Sequence, residues 1–265
     1  VTASGGTVNR LYFAAVGDSR PPNVDDTSNY PTAIITQIYQ DMTQKNPEFA
    51  ITTGDYMYAS TNKTTGQAQI NLYAQARAAY PGVVFPVMGN HECDGYTADN
   101  CNSLTQTNNI KAFMSTLVQP IGQTLPYYRF DVNDSAGQWT AKFIVLAMNY
   151  WNSTQESWLR TQLAQSTTYT FIVRHEPESA TTAPGVTPSD SVISSYPYTA
   201  KIVGHTHEFS HSSQREVIVG NGGAPLAGSG DYGYAIFEMN SAGDIQVSSI
   251  DYTSNTVVNT FTIPK

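Results

Sequence analysis

Short apolar runs alternate with stretches of helical periodicity along the first two-thirds of the chain. Leu11 to Val16 is the first run and stops at Gly17-Asp18. Pro31 opens a helical stretch through about Lys45, with proline in the first turn, where its missing N–H costs nothing. Phe49 to Thr53 reads as a second strand ending in Gly54-Asp55. A helix is expected from Gln67 to Ala79, then a third strand from Val83 to Met88 that ends in Gly89-Asn90. Ile110 to Val118 looks helical, and Lys142 to Met148 is a buried strand. Gln155 to Ala164 is an amphipathic helix with Trp158, Leu159 and Leu163 on one face. Tyr169 to Arg174 and Ala200 to Val203 are two more strands, ending at His175 and Gly204-His205. The last fifty residues alternate apolar and polar with glycine-rich turns, as antiparallel strands do. No repeat period or low-complexity linker divides the chain. The pattern predicts one α/β domain over residues 1–265 with a β-rich C-terminal part.

The polar residues that stop these runs form a second pattern. Five apolar strands end at Asp18, Asp55, Asn90-His91, His175 and His205-Thr206-His207, most of them preceded by glycine. In α/β sheets, ligands bind just beyond the carboxyl ends of the strands, so residues far apart in sequence can converge on one rim. The intervals from 18 to 55 and from 55 to 90 each suit one helical crossover. Of five histidines only His211 stands away from a strand end. Imidazole, carboxylate and carboxamide oxygen make a mixed N/O donor set suited to Zn, Fe or Mn. The absence of cysteine from the set argues against a structural zinc. An extended His205-Thr206-His207 segment would put both imidazoles on one side, each able to reach a different metal.

Composition narrows the function classes. The chain has 265 residues, 13 basic and 21 acidic side chains and a formal net charge of −8. A nucleic-acid coat protein calls for a basic surface and is disfavoured. No apolar stretch reaches the roughly 18–20 residues that span a bilayer. What remains is an acidic protein with a hydrophobic fraction of 40%, enough for a real core.

Asp18, Gly54-Asp55-Tyr56-Met57-Tyr58, Gly89-Asn90-His91-Glu92, His175 and Gly204-His205-Thr206-His207 together resemble the calcineurin-like metallophosphoesterase signature, in order and with plausible spacing. Val219-Gly220-Asn221-Gly222-Gly223 is similar to the glycine-rich segment that follows the last motif in that family. The likeness runs from residue 11 to about 225. It implies an α/β/β/α sandwich with mixed β-sheets.

Within the superfamily the details resemble the purple acid phosphatase branch. Most other members carry a metal-binding histidine two residues after the first aspartate, where Arg20 stands here. Purple acid phosphatases use a tyrosine of the second motif instead, and Tyr58 fills that place. The resemblance implies that Asp18, Asp55, Tyr58 and His207 hold one metal. Asn90, His175 and His205 would hold the second, with Asp55 bridging. Asp18, Asp55, a Tyr58 phenolate and a bridging hydroxide bring four negative charges. Fe(III) with a divalent Zn, Fe or Mn would leave the site positive enough to attract phosphate, and Fe(III) is the Lewis acid that ionises a tyrosine. His91 is the implied general acid, donating to the leaving alkoxide. Glu92 would orient a neighbouring imidazole or simply shape the loop. Arg20 would grip a pair of phosphate oxygens, or lie on the surface. The segment Glu178–Tyr196, rich in Pro, Ser and Thr, holds no histidine, so substrate-contacting imidazoles common in the branch are missing.

The expected activity is phosphoester hydrolysis by hydroxide generated at two metals, with small phosphomonoesters as substrates. A metallophosphodiesterase or nucleotide hydrolase is the alternative within enzymes. An exported phosphate- or carbohydrate-binding protein with a degenerate metal site is the alternative outside them. Cys93 and Cys101, eight apart, would pair in an oxidising compartment or remain free thiols in a reducing one. Val1 in place of Met fits a mature chain whose leader was removed, or a trimmed one. Together these favour a secreted or periplasmic protein. Sequons at Asn62, Asn133 and Asn152 add little in a chain so rich in Asn, Ser and Thr.

Overall fold

The computed structural model describes residues 1–94, 99–180, 183–212 and 215–265. In chain order the elements are β1 (Gly5–Val8), β2 (Tyr12–Val16), α1 (Thr32–Lys45), β3 (Phe49–Thr52), α2 (Thr65–Arg77), β4 (Val84–Phe85), α3 (His91–Asp94) and α4 (Asn108–Phe113). Next come β5 (Tyr128–Asp134), β6 (Thr140–Val145), α5 (Ser153–Leu163), β7 (Tyr169–Val173), α6 (Val186–Ile193) and β8 (Ala200–Val203). The chain closes with β9 (Phe209–His211), β10 (Glu216–Val219), β11 (Gly233–Met239), β12 (Ile245–Asp251) and β13 (Thr256–Ile263).

Alternation along the strands sorts side chains onto two faces and so builds the layers. In β2, Phe13 and Ala15 face the second sheet, while Ala14 and Val16 face Ile35, Ile38 and Met42 of α1. One sheet has seven strands in the order β1-β5-β6-β7-β8-β10-β9, and the other six in the order β13-β12-β11-β2-β3-β4. Between them, Phe13, Phe49, Phe85, Phe130, Phe143, Phe171 and Phe237 pack ring on ring, for example 4.9 Å between the centroids of Phe13 and Phe237. The helices α1, α2 and α4 cover the six-stranded sheet, and α5 and α6 cover the other through Leu159, Leu163, Val192 and Ile193. The result is the expected four-layer α/β/β/α sandwich with mixed sheets. β2, β3 and β4 run parallel, as do β6, β7, β8 and β10, so two sets of carboxyl ends meet at one rim.

Several elements differ from the sequence pattern, each for a local reason. The strand expected from Val83 to Met88 pairs only over Val84–Phe85. Pro86 offers no N–H, and the Val87 N–H goes to the Tyr56 hydroxyl at 3.0 Å instead of a strand. Helix α2 begins two residues early at Thr65, and the stretch Ile110–Val118 becomes α4 followed by a π-turn over Met114–Val118. The segment Glu178–Tyr196 contains α6, whose Val186, Val192 and Ile193 are buried. In the C-terminal part β11, β12 and β13 are antiparallel, but β10 pairs parallel to β8. The sequence pattern does not predict β1, β5 or β9. β5 carries a clear period of two, with Tyr128, Phe130 and Val132 buried, and this signal was legible. β1, with two glycines in four residues, had none.

Candidate metal centre

The site is built where the two sheets meet. Asp18 follows β2, Asp55 follows β3 and Asn90 lies beyond β4, all on one sheet, while His175 follows β7 and His205 and His207 follow β8 on the other. Backbone bonds stitch the rims together: the Asp18 N–H donates to the Gly54 carbonyl at 2.9 Å, and the Gly204 N–H donates to the His175 carbonyl at 2.7 Å. The Thr53 hydroxyl crosses between sheets to the Val219 carbonyl at 2.8 Å. Glycine is required where this packing is tightest. A Cβ on Gly204 would stand 2.5 Å from Asp18 Oδ2, and one on Gly89 would overlap Asp55 Oδ1.

Four donors converge on one half of the centre. His175 Nε2 lies 3.2 Å from Asp55 Oδ2, and His205 Nδ1 lies 3.2 Å from both Asn90 Oδ1 and His175 Nε2. His175 Nδ1 is bonded at 2.6 Å to the Thr53 carbonyl, which only accepts. Nδ1 therefore carries the hydrogen, and Nε2 is the atom turned to the cluster. In the other half, His207 Nε2 lies 3.6 Å from Asp18 Oδ1. Its Nδ1 is bonded at 2.8 Å to the Pro225 carbonyl, which fixes the same tautomer. Asp18, Asp55 and His175 each bring a ligand atom within 4.8 Å of the others. The two carbonyls that set the tautomers, of Thr53 and Pro225, have no sequence signal, because any residue supplies a carbonyl.

The backbone between the two histidines is not extended. His205 and His207 both have positive φ, 74° and 54°, so alternation along a strand does not aim their rings. Two left-handed residues in a tight bend direct His205 to Asn90 and His175 and His207 to Asp18. Asp18 and Asp55 are left-handed as well, at 57° and 59°. That four residues of one cluster adopt this sparsely populated conformation marks the rim as a place where the fold holds strain.

Around the donors stand Arg20, Tyr58, His91 and Glu92. The Arg20 guanidinium lies 4.6 Å over the Tyr58 ring, with Nη2 3.3 Å from His207 Nε2 and Nε 3.9 Å from Asp55 Oδ2. Arg20 therefore sits inside the centre and not on the surface. Tyr58 meets His91 ring to ring at 4.7 Å, and its backbone N–H donates to Gln69. His91 is buried, with Nε2 3.7 Å from Asp55 Oδ2. Among the described residues, Glu92 hydrogen-bonds to no imidazole. Its carboxylate accepts from the backbone N–H groups of Asp55 at 2.9 Å, Tyr56 at 2.8 Å and Gly89 at 2.8 Å, clamping the second and third motifs to each other. His211 lies apart, stacked on Phe261.

The electrostatics suit a cation. Burial, with the neighbouring charge of Asp55, raises the Asp18 carboxyl well above the usual carboxylate range. Burial opposes charge on Asp55 and His175 too. Their mutual attraction wins, holding the carboxyl well below its ordinary value and the imidazole well above. Burial lowers His91 and His205 to about 4. Among the described residues, Asp18 Oδ1 is buried without a hydrogen-bond partner, an arrangement that a bound ion relieves. With imidazole nitrogens and carboxylate and carboxamide oxygens converging on it, the cluster fits the ions expected from its donors.

A sandwich of two mixed sheets thus carries, at the joined strand ends, a cluster able to hold metal ions. The sequence pattern of the calcineurin-like phosphoesterase family matches residues 13–209, and the chain belongs to that family. No curated protein sequence matches it. Solved structures do. A purple acid phosphatase from yellow lupin (Lupinus luteus) seeds has a TM-score of 0.70 at 14% identity, with 100% of this chain covering 55% of that one. The Plasmodium protein GAP50, described as the anchor in the inner membrane complex, has a TM-score of 0.68 at 16% identity, covering 97% of this chain and 89% of that one. A dimetal phosphatase from Danio rerio has a TM-score of 0.65 at 12% identity, covering 97% and 99%. At these identities the likeness is one of fold.

Proposed function

We propose that the chain is a dinuclear-metal phosphomonoesterase of the purple acid phosphatase type, exported to a secreted or periplasmic location. The observation that carries this reading is the pairing of two donor sets about Asp55. Asn90, His175 and His205 stand on one side, Asp18 and His207 on the other, and Tyr58 is at the edge of the second. Bound ions supply Lewis acidity and an activated water. We assign Fe(III) to the half that holds Tyr58 and a divalent Zn, Fe or Mn to the other. Asp55, between the halves, would be a ligand to both.

The chain's own side chains do the rest. As the ester P–O bond breaks, His91 delivers a proton to the departing oxygen, and the negative phosphoryl group beside it favours the charged imidazole beforehand. Arg20 turns its N–H groups to two phosphoryl oxygens, for which a guanidinium is shaped. Export is supported by the disulfide joining Cys93 and Cys101. No helix among the described residues is long and apolar enough to cross a membrane.

The test is a side-by-side assay of an aryl phosphate monoester and the matching diester on metal-reconstituted protein. Faster turnover of the monoester supports the proposal, and preference for the diester replaces it with a phosphodiesterase. Phosphate binding without turnover of either points to a binding protein. A visible tyrosinate-to-iron absorption that disappears in Tyr58→Phe checks the metal assignment.

A further inference from the structure

The two halves of the centre are not equivalent, and Arg20 is the reason. The Pro225 carbonyl accepts a hydrogen from His207 Nδ1, so in the neutral ring Nε2 has no hydrogen and presents a lone pair. Arg20 Nη2, 3.3 Å away, can only donate. The contact is therefore an N–H···N bond into the same lone pair that an ion in this half requires. The remainder of the guanidinium lies 4.6 Å over the ring of Tyr58, a ligand assigned to that ion, and its Nε is 3.9 Å from Oδ2 of Asp55, the ligand assigned to both ions. Oδ1 of Asp18 is buried there without a hydrogen-bond partner among the described residues. Among the described residues, no lysine or arginine hydrogen-bonds to Asn90, His175 or His205.

We infer that Arg20 is a tethered cation that competes with the metal for the Asp18–Asp55–His207 half, so that the centre loads in sequence. The Asn90–His175–His205 half fills first and tightly, and the other half fills only as the guanidinium withdraws. Charge and sterics act together. An ion within bonding distance of His207 Nε2 must displace the N–H that points there, and two cations cannot share that space. This inference rests on the dinuclear reading above.

The test is a zinc titration of chelator-stripped protein by calorimetry, with native mass spectrometry to count ions. Wild-type chain should take one ion tightly and a second at least about thirtyfold more weakly, a gap expected where a ligand lone pair must first be freed. Arg20→Ala and Arg20→Gln should strengthen the second event about tenfold or more and leave the first within about twofold. Arg20→His, which exchanges the competing cation for a donor, should strengthen it further. His207→Ala should abolish the second event alone, whereas His205→Ala should weaken the first. Two ions of equal affinity in the wild-type chain, or a second event unmoved in both Arg20→Ala and Arg20→Gln, overturns the inference and leaves the dinuclear centre intact. Failure of any ion to bind, in wild type and variants alike, overturns the centre and this inference with it.

Discussion

His91 and Glu92 are neighbours in sequence with opposite work. His91 faces the reacting side of Asp55, so His91→Ala should slow alkyl phosphates by about a hundredfold or more and activated aryl phosphates far less. Steady-state rates on both esters decide it, and equal losses would remove His91 from proton delivery. Glu92 faces the backbone. Glu92→Ala leaves three buried N–H groups unpaired and should cost roughly 3 kcal/mol or more, seen as a melting temperature lower by about 6–12 °C. If Glu92→Ala melted with the wild type, the clamp would carry no stability. Asp25 offers a pH test away from the centre. Burial raises its carboxyl, but hydrogen bonds from Lys63 and Ser60 outweigh that and bring it to about 2. A carboxyl depressed in the folded state contributes stability above its unfolded value, and that contribution fades as pH falls towards the folded one. Asp25 is left-handed at φ 60°, a conformation Asn tolerates, so Asp25→Asn isolates the charge. The gap in melting temperature between wild type and Asp25→Asn should be constant above about pH 4 and close between pH 4 and 2.

At the scale of elements, the turns that follow strands make the centre, and they depend on one another. Asp25 accepts from the Ser60 and Lys63 side chains, tying the loop after β2 to the loop after β3. Gly89 keeps the loop after β4 against Asp55, so Gly89→Ala must push that carboxylate out of place. Gly89→Ala should therefore lose ion binding in calorimetry while the far-ultraviolet circular dichroism stays native. Unchanged affinity would show that the loop yields. The sequence was informative about these elements to an uneven degree. The stops at Asp18, Asp55, Asn90, His175 and His205 were legible because an apolar run that ends abruptly in glycine and a polar residue is a local signal. The shortening of the third strand was not, because it follows from where the Val87 N–H finds its acceptor, the hydroxyl of Tyr56. That acceptor is distant in sequence.

Across the whole molecule, the sheets are held by a dry aromatic layer and the rim by polar contacts around buried charge. Ions that bind only the folded chain must stabilise it, by about 4 kcal/mol when present at roughly a thousand times their dissociation constant. Chelation should lower the melting temperature by roughly 10 °C, and restoring the ions should return it. A melting curve indifferent to chelator would deny the cluster an ion. The sequence by itself determined the class of architecture, the order of most elements and the residue types that gather at the rim. Period, run length and glycine placement are properties of neighbouring residues, and they suffice for that. Only the tertiary structure decided that His205 and His207 turn to different halves through left-handed bends, that Glu92 clamps backbone, and that Arg20 engages His207. Each of these depends on partners brought together by the packing of two sheets: Pro225 with His207, Gly89 with Asp55, and Arg20 with a ring 187 residues away. Local pattern carries no record of such distances, because they are set by how the sandwich closes and not by any residue's own preference.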